Sequence, residues 1–115
     1  MYATKATAPI DASEILFVSR LMEYAKRQSG MDIDLRLHLT GVSKDDIKHA
    51  EGLPEHTVAG RVAGSDLDAA LGPEDDRSGT VCYVCGPPAM TDSFVDFLSS
   101  RSGMDRRRVL CEKWW

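Results

Sequence analysis

The spacing of hydrophobic positions changes repeatedly along the chain and predicts helices that alternate with strands. The first helical set has three- and four-residue intervals and consists of Val18, Leu21, Met22 and Ala25. Asp11 and Glu14 precede it at the spacing of a capping box, so we expect a helix that begins near Asp11 and ends at Gly30. A second set alternates strictly with polar residues and consists of Ile33, Leu35, Leu37 and Leu39. Such alternation predicts a strand with one wet face, as at the edge of a sheet, and puts His38 on the solvent side.

The rest of the chain continues this alternation. Residues 41 to 64 form a long polar connection, for which we expect a loop. Ser65 and Asp68 have the capping-box spacing ahead of a short helix. Residues 81–85 predict a buried strand, and residues 109–111 predict a last strand. The helix between these strands has an apolar face formed by Met90, Phe94, Phe97 and Leu98. With a short strand at the N-terminus, the order predicts the α/β class, with a parallel sheet covered by helices.

Length and charge limit the classes of protein to which the chain can be assigned. Its 115 residues, 43% of them hydrophobic, suffice for one domain with a single core. The net charge of -4 gives no field that would attract nucleic acid, and we expect the basic run Arg106–Arg108 to be a solvated turn. No stretch reaches the ~20 apolar residues that span a bilayer. Three cysteines, an odd number, fit a reduced environment, so we expect a soluble intracellular protein.

Cys82 and Cys85 form a C-x-x-C pair, for which zinc binding, dithiol chemistry and simple burial are alternatives. Residues three apart on a strand point to opposite faces, so both sulfurs can converge only if the turn begins early. No second cysteine pair and no histidine at finger spacing completes a zinc site, so we predict no bound metal. A thiol redox switch formed by these two cysteines stays open and predicts a reversible disulfide.

Residues 81–90, Val-Cys-Tyr-Val-Cys-Gly-Pro-Pro-Ala-Met, predict a strand that leads through a turn directly into a helix. Gly86 allows a sharp bend or a close approach to a ligand. Pro87 and Pro88 suit the first helical turn, because their missing N–H groups have no partner to bind there. Parallel α/β sheets bind ligands where strands end at helix N-termini, so this segment is a candidate cofactor site.

This decapeptide, taken with the terminal Glu112-Lys113-Trp114-Trp115, resembles the nicotinamide-dinucleotide domain of the ferredoxin–NADP reductase superfamily. The resemblance implies a partial doubly wound, Rossmann-like parallel sheet with flanking helices, in which the chain begins at the family's second strand. The family's first central strand, its Gly-rich pyrophosphate turn and its flavin-binding domain have no counterpart in these residues. We therefore expect residues 1–115 to be a C-terminal portion of one domain. The portion alone is expected to be inactive, because strands beside the gap lack ladder partners.

The resemblance also implies roles for individual residues. Cys85 would pack against the nicotinamide ring during hydride exchange with FAD, and Glu112 would relay a proton or orient the carboxamide. Trp114 would stack on the flavin ring, and Trp115 would lie nearer the flavin's adenine end. The residues expected to contact the cofactors at this end are Gly86, Pro87, Pro88, Met90, Trp114 and Trp115. FAD itself would be bound mainly by the flavin-binding domain.

At the adenosine end of NAD(P)H, we expect contacts from residues that follow two of the predicted strands. These are Thr4 and Lys5 after the first strand, and Ser43 and Lys44 after the alternating one. Cationic and hydroxyl donors there would hold a 2′-phosphate, which favours NADP over NAD. The next two residues are both aspartates, and their negative charge opposes that preference.

Two further interpretations stand beside the redox switch. The first is the nicotinamide dinucleotide-binding portion of an FAD-dependent NAD(P)H oxidoreductase, with its electron acceptor and its choice of NAD or NADP open. The second is a non-catalytic fragment that docks on another protein through Trp114 and Trp115, since large aromatic side chains are costly to expose. The resemblance also leaves a mitochondrial location open.

Overall fold

A computed structural model of the chain describes residues 1–27, 30 and 32–114. The chain folds into two compact units, Met1–Val62 and Ala63–Trp115. In chain order the first unit contains β1 (Tyr2–Lys5), α1 (Val18–Arg27), β2 (Arg36–Thr40), α2 (Lys44–His49) and β3 (His56–Ala59). The second unit contains α3 (Gly64–Leu71), β4 (Cys82–Gly86), α4 (Pro88–Ser99) and β5 (Val109–Lys113). Short 3₁₀ helices cover Ala12–Glu14, Glu74–Gly79 and Arg106–Arg108.

The strands form two small parallel sheets, one in each unit. In the first unit the order is β1-β2-β3, and in the second β4 pairs with β5. Both pairings in the first sheet and the pairing in the second are parallel. Parallel strands joined through helices confirm the predicted α/β class, in the form of a partial Rossmann-like fold. Within the described ranges, no helix combines the length and apolar character needed to cross a bilayer.

The core of the first unit lies between β2 and α1. Its buried side chains are Ile15, Val18, Leu37 and Leu39. Partly buried side chains surround them: Tyr2, Ala6, Ile10, Met22, Val42, Ile47 and Leu53. Leu37 and Leu39 are both 0% exposed. Burial of each of these leucines contributes about 1.5–3 kcal/mol to the free energy of folding. This packing holds the sheet in place, and with it the residues at the ends of β1 and β2.

The prediction that the alternating segment is an edge strand is wrong. β2 is hydrogen-bonded to β1 on one side and to β3 on the other, so it is the central strand of its sheet. His38, expected in solvent, is 2% exposed. Its Nδ1 has no hydrogen-bond partner among the described residues. The alternation of polar and apolar residues failed as a guide because a central strand in an α/β sheet is covered on both faces.

The first helix begins later than its capping signal predicts. Asp11 does act as a cap, since its carboxylate accepts the backbone N–H of Ser13 at 2.8 Å, but it caps the 3₁₀ helix Ala12–Glu14. Phe17 then adopts a left-handed backbone conformation with φ 66°. α1 starts at the following residue, Val18, which is 1% exposed. On both sides of this interruption a side chain enters the core, Ile15 before it and Val18 after it.

The long connection from residue 41 to residue 64 contains a helix and a strand that the sequence analysis assigned to loop. Ser43 and Asp46 form a reciprocal capping box that starts α2, and β3 follows after a short turn. The next helix also starts earlier than expected: Asp66, rather than Ser65 or Asp68, caps α3 by accepting the backbone N–H of Ala63 at 2.7 Å. Short polar elements of this kind lack a hydrophobic period that could reveal them.

In the second unit, α4 packs against both β4 and β5. The buried apolar side chains of this unit are Leu67, Leu71, Val84, Val95, Leu98 and Val109. Pro87 is the N-cap of α4 and Pro88 its first residue, as the sequence predicted. The helix ends at Ser99, so the predicted strand–turn–helix–strand order of this region is correct.

The basic run before β5 divides into solvated and structural residues. Arg106 and Arg107 are exposed, as predicted for a turn. Arg108 is half-buried and donates to the carbonyls of Arg77, Thr80 (3.0 Å) and Gly103 (2.8 Å). One guanidinium thus joins three backbone carbonyls in the connections around β4 and β5.

Gly41, directly after β2, is expected to be intolerant of substitution. Its φ is +87°, and a Cβ there would lie 2.7 Å from the carbonyl oxygen of Ala6. We expect Gly41→Ala to lower the free energy of unfolding by about 1–3 kcal/mol, because backbone strain and a backbone clash add. Gly52→Ala is the matched control, since φ is +74° but the nearest atom, Cβ of Ala12, is 3.5 Å away. Urea denaturation of both variants is the measurement; equal losses would show that the clash contributes nothing.

Candidate functional site

The corner between β4 and α4 is held by the carbonyl group of Gly86. Its oxygen accepts the backbone N–H of Trp114 at 2.8 Å and the hydroxyl of Thr91 at 3.1 Å. Thr91 is 0% exposed, and the Met90 side chain lies where a Cβ of residue 86 would stand, 2.3 Å from that position. Glycine at this corner therefore lets strand, helix and C-terminal segment approach one another closely.

The two faces of β4 differ in exposure. Val84 and Gly86 are buried on the face toward α4, whereas Tyr83 and Cys85 are exposed on the other. Cys82 is half-buried and burial raises the pKa of its thiol, an effect that the charge of Arg108 opposes. Cys82 and Cys85 thus lie on opposite faces, as the strand spacing predicts, and a disulfide between them would require the strand to rearrange.

Four side chains on the exposed face of the second sheet form the cluster that we call the open-face site: Tyr83, Cys85, Glu112 and Trp114. Cys85 and Glu112 are directly paired across β4 and β5. The indole Nε1–H of Trp114 donates to the Cys85 Sγ atom at 3.0 Å. The Tyr83 hydroxyl donates to Glu112 Oε2 at 2.6 Å. The site lies at the carboxyl ends of two parallel strands, where α/β proteins bind ligands.

The protonation of Tyr83 follows from its partner. The hydrogen bond to Glu112, with smaller contributions from desolvation and the negative charge, raises the pKa of Tyr83 to about 12. The phenol therefore remains a donor at neutral pH, and the 2.6 Å distance is that of a charge-assisted O–H···O⁻ bond. Glu112 is therefore the acceptor of the hydrogen bond from the Tyr83 hydroxyl.

On the opposite side of β5, Lys113 anchors the strand to α4. Its ammonium group lies 2.6 Å from the Asp92 carboxylate, and this ion pair raises the pKa of Lys113. The flanking residues Glu112 and Trp114 consequently point away from α4, because neighbouring residues on a strand alternate between faces. Trp114 is 59% exposed, so its ring is available to a planar partner.

In the first unit, Thr4 and Lys5 line a surface cleft of about 440 Å³ at the carboxyl end of β1. The cleft is also lined by Asp11 and Glu14, two carboxylates that the sequence analysis did not assign to a site. Asp11 keeps a lowered pKa through its hydrogen bonds from Ser13. The cleft combines one ammonium group with two carboxylates, so its local charge is negative rather than suited to a phosphate.

Ser43 and Lys44 lie at the start of α2, also in the first unit. The Ser43 hydroxyl donates to Asp46 Oδ2 at 2.7 Å and accepts the backbone N–H of that residue at 3.1 Å. Its hydroxyl proton is therefore used in capping, and one acceptor position of the oxygen remains. Lys44 is exposed, and the two aspartates that follow it are in the same helical turn.

The sequence-predicted residues thus fall into separate groups. Cys85, Glu112 and Trp114 come together in the open-face site, with Gly86, Pro87, Pro88 and Met90 at the adjoining corner. Trp115 lies outside the described residues. Tyr83 was missed, although its position two residues before Cys85 on the same strand face was a usable signal. Across the described ranges, no group of three or more His, Cys, Asp or Glu side chains is arranged to hold a metal ion.

Comparison with known proteins identifies related sequences. The chain is 30% identical over 105 residues to Oxidoreductase NAD-binding domain-containing protein 1 of Danio rerio, covering 91% of this chain and 36% of that protein. Proteins of the same name from Bos taurus (30% identical) and Homo sapiens (27%) match over 91% of this chain and 31% and 30% of their own lengths. The likeness covers nearly the whole chain.

The chain spans about a third of the length of these curated relatives. No protein-family profile matches it, and no solved structure matches it significantly.

Proposed function

We propose that the chain is the nicotinamide-binding portion of an oxidoreductase that transfers a hydride between NAD(P)H and FAD. The observation that carries the proposal is the open-face site, in which a thiol, a carboxylate and an indole meet at the carboxyl ends of β4 and β5. The relatives' name, which describes an oxidoreductase with an NAD-binding domain, supports the same class.

The residues of the open-face site fit a nicotinamide ring and a flavin. The exposed indole of Trp114 offers a face for stacking, and the Cys85 thiol beside it offers a small polarisable contact. When bound, the two cofactors would supply the chemistry, which is transfer of a hydride with both of its electrons from the dihydronicotinamide to the flavin. The flavin would be held mainly by a domain outside this chain.

The chain's own residues would contribute positioning. A hydride moves only when donor and acceptor atoms are held roughly 3–3.5 Å apart. Cys85 would limit the depth of the nicotinamide ring, and the paired Glu112 carboxylate would orient its carboxamide. The proline pair would keep the Gly86 corner rigid, because fixed φ angles leave little conformational entropy to lose on binding.

At the adenosine end we propose contacts from Thr4 and Lys5, and from Ser43 and Lys44 of the same unit. The carboxylates of Asp11 and Glu14 favour the ribose hydroxyls of NAD over the 2′-phosphate of NADP, because acidic side chains accept hydrogen bonds from hydroxyls and repel phosphate. The structure therefore supports NAD, whereas the sequence alone favoured NADP.

Titration of the intact protein with NAD⁺ and with NADP⁺, followed by tryptophan fluorescence, tests this function without turnover. We expect saturable binding of both, with NAD⁺ tighter, while circular dichroism reports folding. Glu14→Lys should shift the preference toward NADP⁺, and Glu55→Lys, a charge reversal at another exposed position of the same unit, should not. A folded protein that binds neither dinucleotide would refute the function.

A further inference from the structure

Tyr83 has no part in the function proposed so far, yet it makes the shortest side-chain contact of the open-face site. Its hydroxyl lies 2.6 Å from Glu112 Oε2, and it stands on the same strand face as Cys85, two residues earlier. Both hydrogen bonds of the site have an aromatic side chain as donor: Tyr83 donates to Glu112, and Trp114 donates to Cys85. The aromatic side chains thereby hold the two groups that would meet a ligand.

The contact restrains a side chain that would otherwise be free. Glu112 is exposed, and a glutamate in solvent samples many rotamers. With Oε2 occupied by the phenol, the carboxylate is held beside its cross-strand partner Cys85. Among the described residues, Oε1 has no hydrogen-bond partner, so one oxygen of the carboxylate can accept a hydrogen bond from a ligand.

We propose that Tyr83 is a positioning residue that fixes Glu112 as an acceptor for the carboxamide N–H of the nicotinamide, so that the site selects nicotinamide over nicotinic acid dinucleotides. The inference rests on the proposed function and adds the selectivity of that site. A carboxamide presents an N–H donor to the open oxygen. The carboxylate of nicotinic acid presents only negative charge, which Glu112 repels.

The same geometry separates the two roles that Glu112 was expected to have. A proton relay requires the carboxylate to take up and release a proton. The Tyr83 hydroxyl already occupies Oε2 of Glu112, and this contact holds the carboxylate in one place, which suits a fixed acceptor. Orientation of the carboxamide is thus the role that the Tyr83 contact supports.

The first test compares two ligands on the unmodified intact protein by isothermal titration calorimetry. NAD⁺ and nicotinic acid adenine dinucleotide differ only in the amide or carboxylate on the ring. We expect the acid to bind about tenfold more weakly, as for the loss of one charge-assisted hydrogen bond. Equal affinities would overturn the inference and leave the proposed function standing. Binding of neither ligand would overturn both.

The second test uses variants. Glu112→Gln should bring the two affinities within about twofold, because the repulsion is removed. Tyr83→Phe should reduce the discrimination between the two ligands and leave the affinity that comes from the adenosine end in place. Tyr24 is an exposed tyrosine on α1, and the control substitution Tyr24→Phe should leave the discrimination unchanged. Full discrimination in Tyr83→Phe would overturn the positioning role.

A third measurement needs no ligand. Alkaline titration of phenolate absorbance should show one tyrosine that ionises at unusually high pH, and Glu112→Gln should return it toward ordinary tyrosine behaviour. A titration identical in both proteins would show that the contact between Tyr83 and Glu112 does not form in solution.

Discussion

Replacing Cys85 by alanine is expected to slow NAD(P)H-dependent reduction of the flavin about a hundredfold, a loss typical of reacting atoms held about 1 Å from their aligned position. The thiol occupies the centre of the open-face site, between the Glu112 carboxylate and the Trp114 indole. Without it, the indole loses its acceptor, and under the proposed function the nicotinamide ring would have no fixed depth. The affinity for NAD⁺ should change little, because this contact contributes to alignment. Stopped-flow absorbance of the flavin in the intact protein measures the rate.

Cys111→Ala is the matched control for this experiment. Cys111 is also an exposed free cysteine on β5, but it pairs with Val84 and belongs to the opposite face of the sheet. The control variant should keep the rate of flavin reduction. Equal rates in both variants, or equal losses, would contradict a specific role for the thiol of residue 85.

Truncation of Leu39 to alanine is expected to lower the free energy of unfolding by about 2–5 kcal/mol, the range for removing a buried leucine from a packed core. Leu39 is 0% exposed on the central strand, in contact with the cluster that also contains Ile15 and Val18. The loss combines the transfer of buried methyl groups with the cavity that remains. Urea denaturation followed by circular dichroism measures the change.

Leu16→Ala provides the comparison, because Leu16 is 66% exposed in the same unit. Its truncation should change the free energy of unfolding by less than about 0.5 kcal/mol, as for most surface substitutions. A comparable loss in the two variants would mean that the first unit is not organised around β2.

The part of the fold that could be predicted is the part with strong local signals. From Val81 to Met90 the apolar run, the glycine and the two prolines each have one preferred role, and strand, corner and helix formed where expected. The prediction that the strand is buried is correct for one face only, since Tyr83 and Cys85 on the other face are exposed. The predicted neighbourhood of Cys85, Glu112 and Trp114 followed from the family resemblance, since nothing in the spacing of residues 85 and 112 implies cross-strand pairing.

What the sequence missed depends on tertiary context. His38 has the pattern of an exposed residue, yet its strand lies between two others and it is buried. α2 and β3 were hidden in a polar connection because each has only a few residues and a capping box holds the helix. The strand position of Tyr83 was a usable signal, but its contact with Glu112 and the place of Asp11 and Glu14 in the first-unit cleft emerge only from the folded chain.

The carbonyl of Gly86 has a mechanical consequence for Trp114. Because the backbone N–H of Trp114 is bonded to that oxygen, its Cα is tied to a corner that Thr91 also holds. The indole can then leave Cys85 only by rotation about its own χ1 and χ2 torsions, since displacement of the main chain would break the hydrogen bond at the corner. The indole of Trp114 therefore moves by side-chain rotation about a fixed main chain. The rate of this movement is set by rotamer barriers rather than by fraying of the strand.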